Sequence, residues 1–207
     1  MEEYLVPTAF GQAEFVEKKS RFIGHLWPVE TEAEALERIA QMRKLHADAT
    51  HNVWAYRIHD GPVRFSDDGE PGGTAGMPTL LVLQKEELWD AVCVVTRYFG
   101  GILLGAGGLV RAYTKGAKIA VDVAGKSCRR VWSVLYVPCP YSWYERVRLE
   151  VRRWDGVLRQ ETFGAEVELE VLLPQAQAEP FLARLLDWSA GRLEGLITGS
   201  EYRAFPV

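Results

Sequence analysis

"VVTRYFGGILLGAGGLVRAYTKGAK", residues 94–118, decides how the first half of this chain folds. A β-branched run ends in Arg97-Tyr98-Phe99, and glycines follow at Gly100, Gly101, Gly105, Gly107 and Gly108. The apolar run predicts a buried strand over Asp90–Phe99. Leu109, Tyr113, Gly116 and Ala120 then fall on one side of a helix over Leu109–Val123, with Arg111, Lys115, Lys118 and Asp122 on the other. Between the two, glycine at this density serves a turn or a close backbone approach. A helix starting there offers unpaired N–H groups that suit an anion. Two nucleotide fingerprints fail on inspection. A P-loop places Lys and a hydroxyl residue where Ala106 and Gly107 stand, and a dinucleotide loop needs a glycine at Val110.

Working outward, "AEFVEKKSRFIGHLWPV" alternates as two strands with a tight polar turn at Lys18–Ser20. Thr31 with Glu34 forms a capping box, and Leu36, Ile39 and Met42 follow at helical spacing. "HNVWAYRIH" reads as a strand ending at Asp60-Gly61-Pro62, and a polar Gly-rich loop leads from there into a short apolar segment. After Cys128–Trp132 the pattern restarts as strand, helix, hairpin, helix, strand. That is the ferredoxin-like βαββαβ order. The expected fold class is α+β, with an N-terminal domain over residues 1–130 and a ferredoxin-like domain over 131–207.

Composition narrows the function classes. The 207 residues carry a net charge of −4, which argues against nucleic-acid binding by bulk charge alone. Charge is unevenly spread: Arg97, Arg111, Lys115, Lys118, Lys126, Arg129 and Arg130 meet only Asp122 in the segment 97–130. Three cysteines without a C-x-x-C pair fit a reducing compartment. The acidic start lacks the pattern of a signal peptide, and no apolar run has the length of a membrane span, so a cytoplasmic protein without membrane contact is expected.

Two clusters stand out as candidate sites. Arg97, Tyr98, Gly100, Gly101, Gly105, Gly107, Gly108, Arg111, Lys115 and Lys118 combine cations, an aromatic and a glycine corner, the residue types that suit a phosphate backbone with exposed bases. A second group, His51, Arg57, Asp67, Asp68 and Glu70, has the chemistry for acid–base work or a metal. It fits no calcium-loop spacing, and an Asp-rich turn capping a helix near Thr74 explains it as well. No Ser-His-Asp or Cys-His arrangement is present in the spacing. No catalytic residue, metal or cofactor is assigned.

The motifs "KKSRFIG", "ATHNVWAYRI", "SDDGEPGGTAGMP" and "VVTRYFGGILLGAGGLVRAY", in this order from residue 10 to about 125, closely resemble the YigZ/Impact family. The resemblance implies a ribosomal-protein-S5-domain-2-like fold for the first domain. For the second it implies a ferredoxin-like domain similar to the last domain of the translocase elongation factor. It also implies a non-catalytic, translation-linked role with RNA, the ribosome or a translation-related protein as partner. Leu103 stands where a basic residue is common in relatives. Two alternatives stay open: a phosphate- or nucleotide-binding small-molecule enzyme, and a regulator that docks on a protein through Tyr98 or Trp54.

Overall fold

The computed structural model describes residues 3–206. The chain divides into two compact units, with the division between Cys128 and Arg129. In the first unit the order is β1 (Tyr4–Pro7), β2 (Gly11–Glu17), β3 (Ser20–Pro28), α1 (Glu32–Leu45), β4 (His51–Arg57), β5 (Val63–Ser66), α2 (Gly76–Lys85), β6 (Ala91–Tyr98) and α3 (Ala106–Ala124). Strands β2-β3-β6-β4-β5 form one sheet, antiparallel at every pairing. Alternation along the strands gives it two apolar faces. Phe22, Leu26, Val53, Cys93 and Val95 pack with α2 and α3. Tyr56, Val92 and Val94 pack with α1 on the other side.

Helix α3 comes unusually close to the sheet. A Cβ on Gly24 would sit 2.0 Å from the Gly116 carbonyl oxygen, so β3 and α3 meet backbone to backbone. The small residues Ala112, Ala117 and Ala120 continue that buried face. Thr31 caps α1 as expected, its hydroxyl accepting the Glu34 N–H at 3.2 Å. The buried face of α1 is Ala35, Ile39 and Met42, while Leu36, expected in the core, is exposed. Ile39 and Met42 hold their expected places, and Ala35 rather than Leu36 completes their i, i+4, i+7 stripe. Strand β5 was not expected from the sequence; it is a four-residue edge strand with an exposed pattern that shows no alternation.

His25 lies buried on the α1 side, stacked with Trp27 at 5.6 Å and 5.5 Å from His46. Burial, with the neighbouring His46, pushes its pKa down from 6.5 to about 4. The unfolded chain therefore binds this proton below pH 6.5 while the folded chain waits until about pH 4. Stability is full above the unfolded value and falls as pH drops through that window. Between pH 7 and 5 the loss from His25 is about 2 kcal/mol. Urea unfolding of wild type and His25→Phe at both pH values measures it, and the variant is expected to show a flatter profile.

The second unit contains β7 (Lys126–Cys139), whose first three residues belong to the first unit, then α4 (Tyr141–Arg153), β8 (Val157–Phe163), β9 (Val167–Pro174), α5 (Gln175–Trp188) and β10 (Leu196–Pro206), whose residues from Ala204 onward again belong to the first unit. The five-stranded sheet follows the path β1-β7-β9-β8, with β10 also paired to β7, so that the strands of this unit lie in the order β10-β7-β9-β8. This is the ferredoxin-like arrangement in both element order and strand order. Leu135, Val137 and Cys139 of β7 alternate with outward residues, as do Val167, Leu169, Val171 and Leu173 of β9. Both sets bury against Val147 and Val151 of α4 and Phe181 and Leu185 of α5. The fold class is α+β, an S5-domain-2-like unit followed by a ferredoxin-like one. Among the described residues no helix is long and apolar enough to cross a membrane.

Candidate functional site

Strand β6 presents alternate side chains to opposite faces, and this separates residues that adjoin in the sequence. Arg97 points toward α3. Its guanidinium donates to Glu70 Oε1 at 2.7 Å and to Ser20 Oγ at 3.3 Å, and it lies 5.5 Å from the Phe22 ring and 5.3 Å from Phe99. The Tyr113 hydroxyl of α3 donates to the same Glu70 oxygen at 2.7 Å. Burial and this carboxylate push the Tyr113 pKa up. The side chains of Arg97 and Glu70 are only 6% and 3% exposed. Tyr98 points the other way, to His46 Nδ1 at 2.8 Å and Asp48 at 3.2 Å. Arg97 and Tyr98 cannot serve one ligand.

The acidic loop is used up in the same fashion. Asp67 accepts the N–H groups of Gly73, Ala75 and Gly76 and so caps α2 from a distance. Burial works against its charge, but those three N–H groups prevail and hold its carboxyl below the usual range. Asp68 accepts from Arg43 at 2.9 Å and from the Asn52 N–H at 2.7 Å. His51 Nδ1 donates to the Asp68 carbonyl at 2.8 Å, and its Nε2 lies 3.8 Å from Glu70. Arg57 does not join this group. It sits at the far end of β4, about 20 Å along the strand, donating to the carbonyls of Leu83 and Leu88 and lying over Trp89. Among the described residues no His, Cys, Asp and Glu cluster has the makings of a metal site. The three cysteines are buried and in no disulfide, and burial pushes the Cys93 thiol up to about 12, which keeps it protonated and unreactive.

The glycine corner splits into different tasks. Gly100 packs against backbone: an added Cβ would lie 2.1 Å from the Lys19 carbonyl. Gly101 and Gly105 adopt φ of +83° and +74° with open space around them. Gly107 and Gly108 open α3, which carries no side-chain cap. Its first bond runs from the Leu109 N–H to the Gly105 carbonyl, leaving the N–H groups of Ala106, Gly107 and Gly108 outside the helix ladder.

Beside this helix start lies a cavity of about 200 Å³ lined by Phe15, Glu17, Lys18, Leu104, Gly108, Arg111, Ala112 and Lys115. Lys115 Nζ sits 4.3 Å over the Phe15 ring. Lys18, Arg111 and Lys115 make no ion pair among the described residues. The next cation of the stripe differs. Lys118 is held by Glu86 at 3.1 Å and Asp122 at 2.5 Å, and Lys126 also binds Glu86. Sequence reasoning grouped Lys118 with Arg111 and Lys115 and missed Lys18 and Phe15. Lys18 and Lys19 both take left-handed φ values of 45° and 66° in the β2–β3 turn. A two-residue turn written Lys-Lys, where Asn-Gly is the favoured pair, was the available signal.

The four motifs on β2–β3, β4, the acidic loop and β6–α3 thus meet in one hydrogen-bonded network around Glu70. A model of the Impact N-terminal domain matches residues 18–121, and a domain of unknown function (DUF1949) matches 137–192. The chain belongs to the Impact family. The family member YvyE of Bacillus subtilis is 39% identical over 194 residues, which cover 93% of this chain and 89% of that protein. The family member YigZ of Escherichia coli is 35% identical over 198 residues, 94% of this chain and 97% of that one. A crystal structure of a hypothetical protein is similar with a TM-score of 0.60 at 35% identity, covering 95% of this chain and 98% of that one. In family terms, the signature stretch in this chain builds the Glu70 network and leaves the basic cavity at its edge.

Proposed function

We propose that this chain is a non-catalytic, cytoplasmic modulator of translation that binds RNA or an RNA-containing ribosomal component at the start of α3. The observation that carries the reading is the convergence of Lys18, Arg111 and Lys115 on one cavity with an apolar floor of Phe15 and Leu104. Membership of the Impact family supports the link to translation. The turn geometry supports a binding role for Lys18 and Lys19. Holding a non-glycine residue in the left-handed region costs about 1–2 kcal/mol, and strain of this kind gathers where function needs it. Glu17, which also lines the cavity, is the one feature unfavourable to an anion.

Filter binding of a structured RNA at two salt concentrations tests the reading. Single-stranded contacts contribute about 0.7 each to the slope of log affinity against log salt. Changing Lys18, Arg111 and Lys115 to Ala together is expected to reduce that slope by about 2 and to weaken binding at least tenfold. Lys118→Ala is expected to leave binding unchanged, because its charge is already spent on Glu86 and Asp122. Absence of RNA binding by the wild type, or a triple variant that binds as well, overturns the proposal. The paired change Lys18→Asn and Lys19→Gly provides a second check. It is expected to raise stability by about 1–2 kcal/mol in urea melts by relieving the turn, while weakening RNA binding.

A small-molecule phosphate or nucleotide ligand is the second reading, favoured by the same cations. Against it, a cavity of about 200 Å³ lies below the roughly 300–1,000 Å³ of sites for drug-sized ligands. Thermal shift with nucleotides and Mg²⁺ separates the two, since a ligand at about 100 times its Kd adds about 2.7 kcal/mol. Protein docking through Tyr98 or Trp54 has less support. Tyr98 is bonded to His46 and Asp48, and Trp54 stacks half-buried on Tyr56 at 5.5 Å.

A further inference from the structure

The Phe99–Gly105 corner carries apolar side chains that neither the core nor the cavity absorbs. Leu103 is 81% exposed and Ile102 41%. They project from a loop whose two ends are fastened. On one side the Phe99 N–H donates to Thr50 Oγ1 at 3.0 Å and the Gly100 N–H to Ser20 Oγ at 3.2 Å. On the other, Leu104 packs against the core and lines the basic cavity. Gly101 and Gly105, at φ +83° and +74°, form the two bends that push the residues between them outward. The tip is therefore short, anchored and apolar; at one end Gly100 packs against Lys19, and at the other Leu104 shares the cavity lining with Lys18, Arg111 and Lys115.

We propose that Ile102 and Leu103 form a wedge that enters a break in an RNA base stack while the surrounding cations hold the flanking phosphates. This rests on the RNA-binding reading above and names the class of RNA: a helix interrupted by a bulge or an unpaired junction. Apolar side chains inserted between base steps must unstack them. RNA offers that gap ready-made only where bases are unpaired. An anchored tip needs little ordering on binding, so its apolar contact translates more fully into affinity. Charge favours a polyanion over an apolar protein pocket as the occupant, because cations adjoin the residues that anchor both ends of the tip, Lys19 at Gly100 and Lys18, Arg111 and Lys115 at Leu104. The concave cavity beside it suits a phosphate chain that bends over the tip better than a flat lipid surface.

The test uses the full chain and one RNA hairpin in two forms, fully paired and with a single-nucleotide bulge, each carrying 2-aminopurine beside the bulge position. Wild type is expected to bind the bulged hairpin about tenfold more tightly and to change the 2-aminopurine fluorescence on it. The double variant I102S/L103S is expected to bind both hairpins equally, at the affinity of the paired form, with no fluorescence change. Both residues are exposed, so the variant keeps its fold; circular dichroism and urea midpoint check this. If wild type binds both hairpins equally, or the double variant keeps the preference, the wedge is wrong while the RNA reading stands. If wild type binds neither hairpin, the RNA reading itself fails. Binding to phosphatidylglycerol vesicles that is lost in I102S/L103S, without any bulge preference, would assign the tip to lipid and overturn the proposal.

Discussion

Glu70→Ala is expected to destabilise the first unit by about 3–5 kcal/mol, the largest single-residue effect in the chain outside the apolar core. The removed carboxylate is the shared acceptor of the Arg97 guanidinium and the Tyr113 hydroxyl, at 2.7 Å each. Arg97 is 6% exposed at its side chain and would be left as a buried cation with Ser20 as its remaining hydrogen-bond partner among the described residues. Breaking a buried pair by removing one partner is far more damaging than never having built it. Glu70→Leu combined with Arg97→Met should accordingly recover much of the loss. Tyr113→Phe removes one bond to Glu70 and leaves the ion pair, so about 1–2 kcal/mol is expected. Urea unfolding with an unchanged m-value measures all of these. Wild-type stability in Glu70→Ala would show that the acidic loop is not fastened to β6 and α3 through this residue. The proposed cavity cations are exposed and unpaired, so removing them should shift stability by no more than about 0.5 kcal/mol.

The two kinds of residue were unequally legible in the sequence. Period-2 alternation in β2, β3 and β9 and 3.6-residue spacing in α3 are local properties, and the elements and the ferredoxin-like order of the second half followed from them, whereas the fold of the first half came from the family resemblance. The partner of a buried charge is a long-range fact. Arg97 read as a phosphate contact because it stands next to a glycine corner, yet the strand pleat turns it inward to Glu70, which lies 27 residues away. Arg57 read as part of the His51 cluster because both lie on one strand, and strand length separates them. Lys118 shared a helical stripe with Arg111 and Lys115, but only α2 reveals Glu86 beside it. Lys18 was visible only as half of a polar turn. Its conformation, rather than its identity, marks it.

Gly100→Ala is expected to cost about 3 kcal/mol, at the upper end for over-packing, and to weaken RNA binding without removing any charge. Its φ is not left-handed, so the effect comes from space alone. The new methyl group would meet the Lys19 main-chain carbon and oxygen, both at 2.1 Å, and main chain cannot rotate aside. Either the β2–β3 turn or the end of β6 must move. The turn carries Lys18 and Lys19, and the Gly100 N–H that fastens the corner to Ser20 belongs to the same contact. Affinity should therefore fall together with stability, and the salt slope should fall with it as Lys18 leaves the cavity. Gly101→Ala supplies the contrast. It meets open space and only the left-handed φ of +83°, so about 1–2 kcal/mol is expected, with Lys18 and Lys19 left in place. A Gly100→Ala protein that binds RNA with the wild-type salt slope would mean that the turn lysines reach the RNA independently of the corner. A large loss of both stability and slope would instead tie the signature glycine to the binding surface through one backbone contact.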